Sequence, residues 1–308
     1  MRRDEHGFAL IAVLLVLGLL GIVGAEFAYS MRLEASAVRA WKASMGAAHL
    51  AEAGVEQAIR EIAADSAYVA LADDGLLTFY TRDRLALPRL PRARVRLGTG
   101  EFSYRITDEE ARVNVNIAPP DRLDRLLQCF GVDKIARDQI VDSILDWIDP
   151  NDEHRLNGAE SDDYYLKLPT PYRAHNAMLE SVTELLQVKG VTGTLFSGLD
   201  GKPGLADVLT VKSPGPVNVN TAGPLVFCGM NVSEAEISEI TQGRREGPYT
   251  AVPGRLAGRG FAAVTRTFRI EAEGLIDGRP RASVTAIVQR RGTAPAVRLV
   301  MLEWSGVR

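Results

Sequence analysis

The sequence predicts an α+β protein: one long N-terminal helix packed on an antiparallel sheet, with a large α-helical insertion between the strands. Three observations predict it. An uncharged apolar run from Phe8 to Ala25 continues into a helical pattern that lasts to about Ala64. Alternating strand-like segments follow at 76–106 and return only after 263. Between them, the pattern is helical and rich in loops.

The N-terminus comes first. Residues 1–7 (MRRDEHG) form a short polar leader, and residues 8–25 carry no charged side chain. A run of that length sits at the lower limit for spanning a bilayer as a helix, and helix is the conformation that satisfies a single span's backbone in lipid. Arg2 and Arg3 favour a cytoplasmic N-terminus with the remainder outside. The competing expectation is a cleaved secretory signal with a small-residue site at Val23-Gly24-Ala25. The apolar run is longer than a usual signal core, and the helical pattern continues past it, both of which favour an anchor.

Beyond the anchor, Met31, Val38, Met45, Ala48, Val55, Ile59 and Ile62 form one stripe, while Arg32, Glu34, Arg39, Lys42, Glu56, Arg60 and Glu61 are assigned mostly to other faces. Leu76–Tyr80, Arg92–Leu97 and Phe102–Ile106 read as strands. In the insertion, Asp121–Cys129, Ile135–Trp147 and Ser233–Gln242 read as helices, and Ser181 with Glu184 forms a capping-box pattern opening another. Phe268–Gly274, Ala282–Arg290 and Val297–Trp304 read as strands, with a hairpin signal at Asp277-Gly278. The boundaries are a leader at 1–7, a transmembrane helix at 8–25, helix and first strands at 26–107, the inserted domain at 108–262, and closing strands at 263–308.

With 308 residues, 46% apolar, 24% charged and a net charge of −3, the chain has an ordinary globular balance and about two domains. It lacks the basic footprint of a nucleic-acid binder, so no nucleic acid is expected as a partner. Catalysis is not expected: there is no G-x-S-x-G, H-E-x-x-H or P-loop, and Glu109-Glu110 reads as a solvated helix start. Cys129 and Cys228 are either a disulfide of an oxidising compartment or two separate buried thiols; sequence leaves both open.

Two features carry candidate chemistry. Val113-Asn114-Val115-Asn116-Ile117-Ala118 is echoed by Val217-Asn218-Val219-Asn220-Thr221-Ala222. The asparagines are expected to cap the helices that follow. The echo, with Gly190-Val191-Thr192-Gly193, also resembles helix-hairpin-helix elements, which gives the alternative function of a membrane-anchored DNA-binding or DNA-uptake protein. The second feature is the acidic stretch 146–165. Its dense oxygen donors suit calcium, with Asp149, Asn151, Asp152, Glu160 and Asp163 as candidate ligands, or else a solvated loop shaped by turn formers.

Gly7-Phe8 before an uninterrupted apolar helix resembles the processing site of type IV pilins and pseudopilins. That resemblance implies cleavage after Gly7 by prepilin peptidase and N-methylation of Phe8. Ala12 stands where most such proteins carry glutamate, and in this respect the chain resembles the type II secretion minor pseudopilin, protein K family. Ala51-Glu52-Ala53-Gly54-Val55-Glu56, both Val-Asn-Val-Asn segments, Asp146-Trp147-Ile148-Asp149-Pro150, and Gly158-Ala159-Glu160 with Tyr164-Tyr165 carry the same resemblance in order. It implies a pilin-like body with a calcium-binding helical insertion and an inner-membrane anchor in contact with lipid. It also implies a periplasmic head joined to minor pseudopilins I and J at the tip of a pseudopilus that serves protein export.

Overall fold

The computed structural model describes residues 5–292 and 296–306; of residues 5–8 only the backbone is described. Residues 1–4 of the expected leader therefore lie outside the described residues.

Helix α1 (Glu5–Ala63) is one unbroken rod of 59 residues, about 88 Å long at ~1.5 Å per residue. It is the one helix among the described residues that is long and apolar enough to cross a membrane. Residues 9–42 are exposed all round, and burial begins at 43–47. Of the expected stripe, Met31 and Val38 are exposed because the head has not yet begun, Met45 is exposed at its edge, and Ala48, Val55 and Ile62 are buried. The face that packs also takes in Ala47, Leu50, Ala51, Gly54 and Ala58, mostly small residues that let the sheet come close. Gly274 is required there: a Cβ would lie 1.8 Å from the Ala47 carbonyl oxygen. At Gly100 it would lie 2.4 Å from Leu50 Cδ1, and at Gly54 3.1 Å from Ala272 Cβ.

Glu61 also corrects the expectation of an outer face. It is buried, pairs with Arg92, and accepts the Tyr104 hydroxyl at 2.6 Å and the Leu90 amide at 3.0 Å.

Strands β1 (Tyr68–Leu71) and β2 (Leu77–Tyr80) form a hairpin. β3 (Val95–Leu97) is shorter than the expected 92–97, because Arg92 turns inward to Glu61 and Arg94 takes φ 49°. β4 (Gly100–Asp108) then leads into the insertion. The insertion contains β5 (Val113–Asn114), α2 (Pro120–Cys129), α3 (Lys134–Ile148), α4 (Gly193–Ser197), α5 (Leu205–Val208), β6 (Leu209–Thr210), β7 (Val217–Asn218), α6 (Pro224–Gly229), α7 (Glu234–Arg245) and β8 (Phe261–Ala262). The segment opened by Ser181 is a 3-10 helix, Val182–Gln187, with its capping box intact. β9 (Thr267–Ile276), β10 (Arg279–Arg291) and β11 (Arg298–Gly306) close the fold. Asp277 and Gly278 turn between β9 and β10 with φ of 53° and 71°, the left-handed pair that a two-residue hairpin requires.

The main sheet is antiparallel in the order β11-β10-β9-β4-β3. Its inner face (Phe102, Tyr104, Ile106, Phe268, Ile270, Ala272, Val284, Ala286, Val288) packs on α1. A second core, with Leu126, Ile144, Trp147, Tyr165 and Phe227 among its members, belongs to the helical insertion. β4 rises alongside the rod, from Gly100 at Leu50 through Tyr104 at Glu61. The insertion thus begins at the end of the head farthest from the apolar segment.

Candidate functional site

The crossing between the two cores is polar. Asp108, Glu109 and Glu110 are all buried, contrary to the expectation of a solvated start. Asp108 accepts from Thr221 Oγ1 (2.5 Å), Thr265 Oγ1 (2.6 Å), Asn218 Nδ2 (2.7 Å) and the Glu110 amide (2.8 Å). Burial nevertheless pushes its carboxyl up. Glu110 accepts from the amides of Arg266 and Thr267 and from the Thr267 hydroxyl, and burial likewise raises it. At Glu109 burial acts the same way, but Arg269 and Arg112 overcome it and hold the carboxyl below its usual range. The three carboxylates tie β4, β9 and the second Val-Asn-Val-Asn segment together.

That echo is structural, and the asparagines do not cap the next helices. Prolines at the first turns of α2 and α6 leave no side-chain cap there. Asn114 and Asn218 each accept the amide two residues on, at 3.0 Å, closing a turn. Asn116 exchanges two bonds with the Leu179 backbone, both 2.9 Å. Asn220 exchanges two with the Tyr249 backbone and donates a third to the Ala263 carbonyl. The side-chain amides mimic strand pairing where no strand continues. Each copy then runs helix, turn, helix: α2–α3 through Gly131 (φ 77°), and α6–α7 through Asn231 (φ 59°). Cys129 and Cys228, near the ends of α2 and α6, are joined as a disulfide across the two copies. Gly190–Gly193, the expected hairpin, instead packs Gly190 on Ile140 and leads into the five-residue α4.

The acidic stretch departs from the end of α3. Asp146 is fully buried and saturated: it accepts the Arg155 guanidinium at 2.6 Å, the Arg155 amide at 3.1 Å and the Ala159 amide at 2.9 Å. Gly158 is required beside it, since a Cβ would meet its Oδ2 at 1.8 Å. Asp149 shares the same guanidinium nitrogen at 2.6 Å and takes the Asn151 side-chain amide at 2.7 Å. Asp152 and the Asn151 carbonyl both accept from Asn176 Nδ2. Glu160 is 2% exposed, and neither of its carboxylate oxygens has a partner; Asn176 Oδ1 is also buried and bare. Burial first, then Asp146, Asp149 and Asp152, push the Glu160 carboxyl up to about 7. Lys189 closes the outer side, donating to the Gly158 carbonyl at 2.9 Å and lying over the Tyr164 ring, while Trp147 meets Tyr165 edge-on.

Of the expected ligands, Asp149 and Asn151 are joined to each other, Asp152 shares Asn176 with the Asn151 carbonyl, Glu160 is buried, and Asp163 is exposed, its Oδ1 capping the Glu160 amide at 2.9 Å. Among the described residues no three His, Cys, Asp or Glu side chains form a ready-made metal cage. Arg155 pairs with two of the carboxylates of the stretch, Asp146 and Asp149. Sequence reasoning missed Asn176, Arg155 and the structural role of Asp146; only Asp146, one helical turn before Asp149, had a positional signal. The processing pair Gly7-Phe8 has its backbone at the start of α1, and its side chains fall outside the described residues.

The family profile for type II secretion system (T2SS), protein K matches residues 105–200, the end of β4 and the acidic half of the insertion. Type II secretion system protein K of Pseudomonas aeruginosa is 28% identical over 97% of this chain and 93% of its own length. Over nearly its whole length the chain is thus similar to type II secretion system protein K, a relation that supports a minor pseudopilin. Protein K of Pectobacterium carotovorum is 30% identical over 35% of this chain and 38% of its own length. Among solved structures, one chain of the GspK-GspI-GspJ complex from enterotoxigenic Escherichia coli shares the fold. Its TM-score is 0.63 at 14% identity, covering 90% of this chain and 99% of that one. The protein K fold is thus a long apolar helix on an antiparallel sheet with a helical insertion, and the helix fits a single-pass anchor.

Proposed function

We propose that this chain caps the periplasmic tip of the pseudopilus, bound to minor pseudopilins I and J, and is needed for pseudopilus assembly and for export of folded proteins across the outer membrane. The observation that carries the reading is the position of the insertion. It leaves the sheet at Asp108 and returns at Thr267, at the head's end opposite the apolar rod. A subunit above would have to displace it, whereas the exposed rod below offers its whole circumference to lipid or to sister helices. Ala12 fits a terminal place, since a top subunit has no amine of a further subunit to neutralise. The related GspK was solved together with GspI and GspJ, which supports the same partners here.

The maturation route follows from the N-terminus: insertion in the inner membrane, cleavage after Gly7 by prepilin peptidase, and methylation of Phe8. The acidic loop fits calcium as a structural ion. Glu160, Asp149, Asp152, Asn151 and Asn176 would hold it, and the ion would supply the positive charge that Glu160's bare oxygens lack. Co-expression of the full chain with pseudopilins I and J tests the tip assignment. A complex of the three in detergent, and loss of export when Gly7→Val blocks cleavage, are expected. Normal export with an uncleaved chain would overturn it.

A further inference from the structure

The acidic loop already holds a cation of its own. Arg155 is a loop residue whose guanidinium bridges Asp146 and Asp149, both at 2.6 Å from one nitrogen. Its own amide also reaches Asp146, so the residue folds 149–155 back onto α3. Asp152 accepts from Asn176 rather than from the arginine, and Glu160 is buried with both oxygens bare. The cluster is thus half neutralised. One carboxylate, Asp146, keeps two backbone donors, the amides of position 155 and of Ala159, when the guanidinium leaves. Asp149 is different: apart from its contacts to Asn151, it depends on the guanidinium.

We infer that Arg155 is the stand-in cation of this loop. It holds Asp149 while no metal is bound, and a divalent ion seated at Glu160 competes with it for that carboxylate. The inference rests on the calcium reading above and adds its regulation. Two positive groups cannot share Asp149 at short range without mutual repulsion, which in a partly dry site far exceeds its value in water. Metal binding therefore displaces the guanidinium toward solvent, where its side chain already has 40% of its surface. The arginine sets a ceiling on metal affinity and, in return, keeps the loop folded in metal-free surroundings.

The test compares the full chain in detergent with Arg155→Gln and Arg155→Lys, using calcium chloride as the probe. Calorimetric titration should show calcium binding to Arg155→Gln about tenfold tighter than to the parent. In chelator the variant should melt below the parent, and calcium should raise its melting temperature by more. Arg155→Lys, which keeps the charge but loses the fork, should fall between. If Arg155→Gln folds only when calcium is present, that too supports the inference. Weaker calcium binding in Arg155→Gln would make Arg155 a residue that positions Asp149 for the metal and would overturn the competition. Equal affinities and equal melting increments would overturn it as well. Binding to none of the three proteins would remove the calcium reading and this inference with it; binding to the parent without tightening in the variant removes the inference alone.

Discussion

The two Val-Asn-Val-Asn copies share a local design and differ in what they are connected to. In both, an asparagine closes a turn, a second clamps a distant backbone, and a proline-led helix turns into a capped one. The first copy leaves α3 into the acidic loop and keeps polar groups unsatisfied. The second leaves α7 into a short return to the sheet. There Arg244 binds the carbonyls of Val219 and Ala222, and Asn218 anchors to Asp108 at the domain crossing. The second copy is the foundation and the first is the part that leads to the buried, unpartnered carboxylate of Glu160. A repeated scaffold can thus be rigid in one place and chemically incomplete in another without any change in its backbone plan.

The bond that makes the copies one unit is the first thing to break. Cys129→Ser with Cys228→Ser opens a cross-link spanning 99 residues. It should cost about 4.7 kcal/mol by the loop-entropy argument, read from denaturant midpoints with and without reductant. A loss under about 1 kcal/mol would show that α2 and α6 hold each other by packing alone.

Next come the clamps. Asn220→Ala strands two Tyr249 groups and the Ala263 carbonyl in a fully buried place. It should destabilise by about 3 kcal/mol; Asn116→Ala, half-buried and with one clamped residue, by about half of that. Equal losses would erase the distinction between the foundation and the other copy.

Chelation should touch one copy only. With calcium at about a hundred times its dissociation constant, stabilisation of about 2.7 kcal/mol is expected, and Trp147 fluorescence should report it because that ring packs beside the acidic loop. An unchanged melting temperature would count against the metal.

The smallest difference is in the caps. Ser233 and Glu236 form a full capping box at α7, whereas Asp133 caps α3 with Ala136 opposite it. The Ser233 amide, then its hydroxyl and Arg259, hold Glu236 down at about 2. A depressed carboxyl contributes stability above its unfolded value near 4.5 and loses it as pH falls toward 2. Glu236→Gln should flatten that acid limb, while Asp133→Ala should cost about 1 kcal/mol at neutral pH.

Much of this was legible in the chain. The rod, the capping boxes and the Asp277-Gly278 turn follow from local rules that need only neighbouring residues. The chain's similarity to protein K was legible in the order of its motifs. What sequence concealed was decided by distant residues. Glu61 looked solvent-facing until Arg92 and Tyr104 arrived from another strand. Glu109 and Glu110 looked like a wet helix start, although threonines and arginines some hundred and more residues away enclose them. Asn116 and Asn220 had the chemistry of caps, but the following prolines had already settled those helix starts. In the acidic loop, the donor atoms were visible and their pairing with Arg155 was not, because only the folded turn brings a residue six positions downstream back onto Asp149.

The glycine seats on the sheet have a mechanical consequence. At Gly274 the strand backbone meets the rod's Ala47 backbone with no side chain between them, and at Gly100 it presses on the Leu50 side chain. Such a joint has no slack in it. If the rod is pushed or turned from its membrane end, the head must travel with it, like a blade keyed to its shaft, and a single added methyl at position 274 would unseat the key.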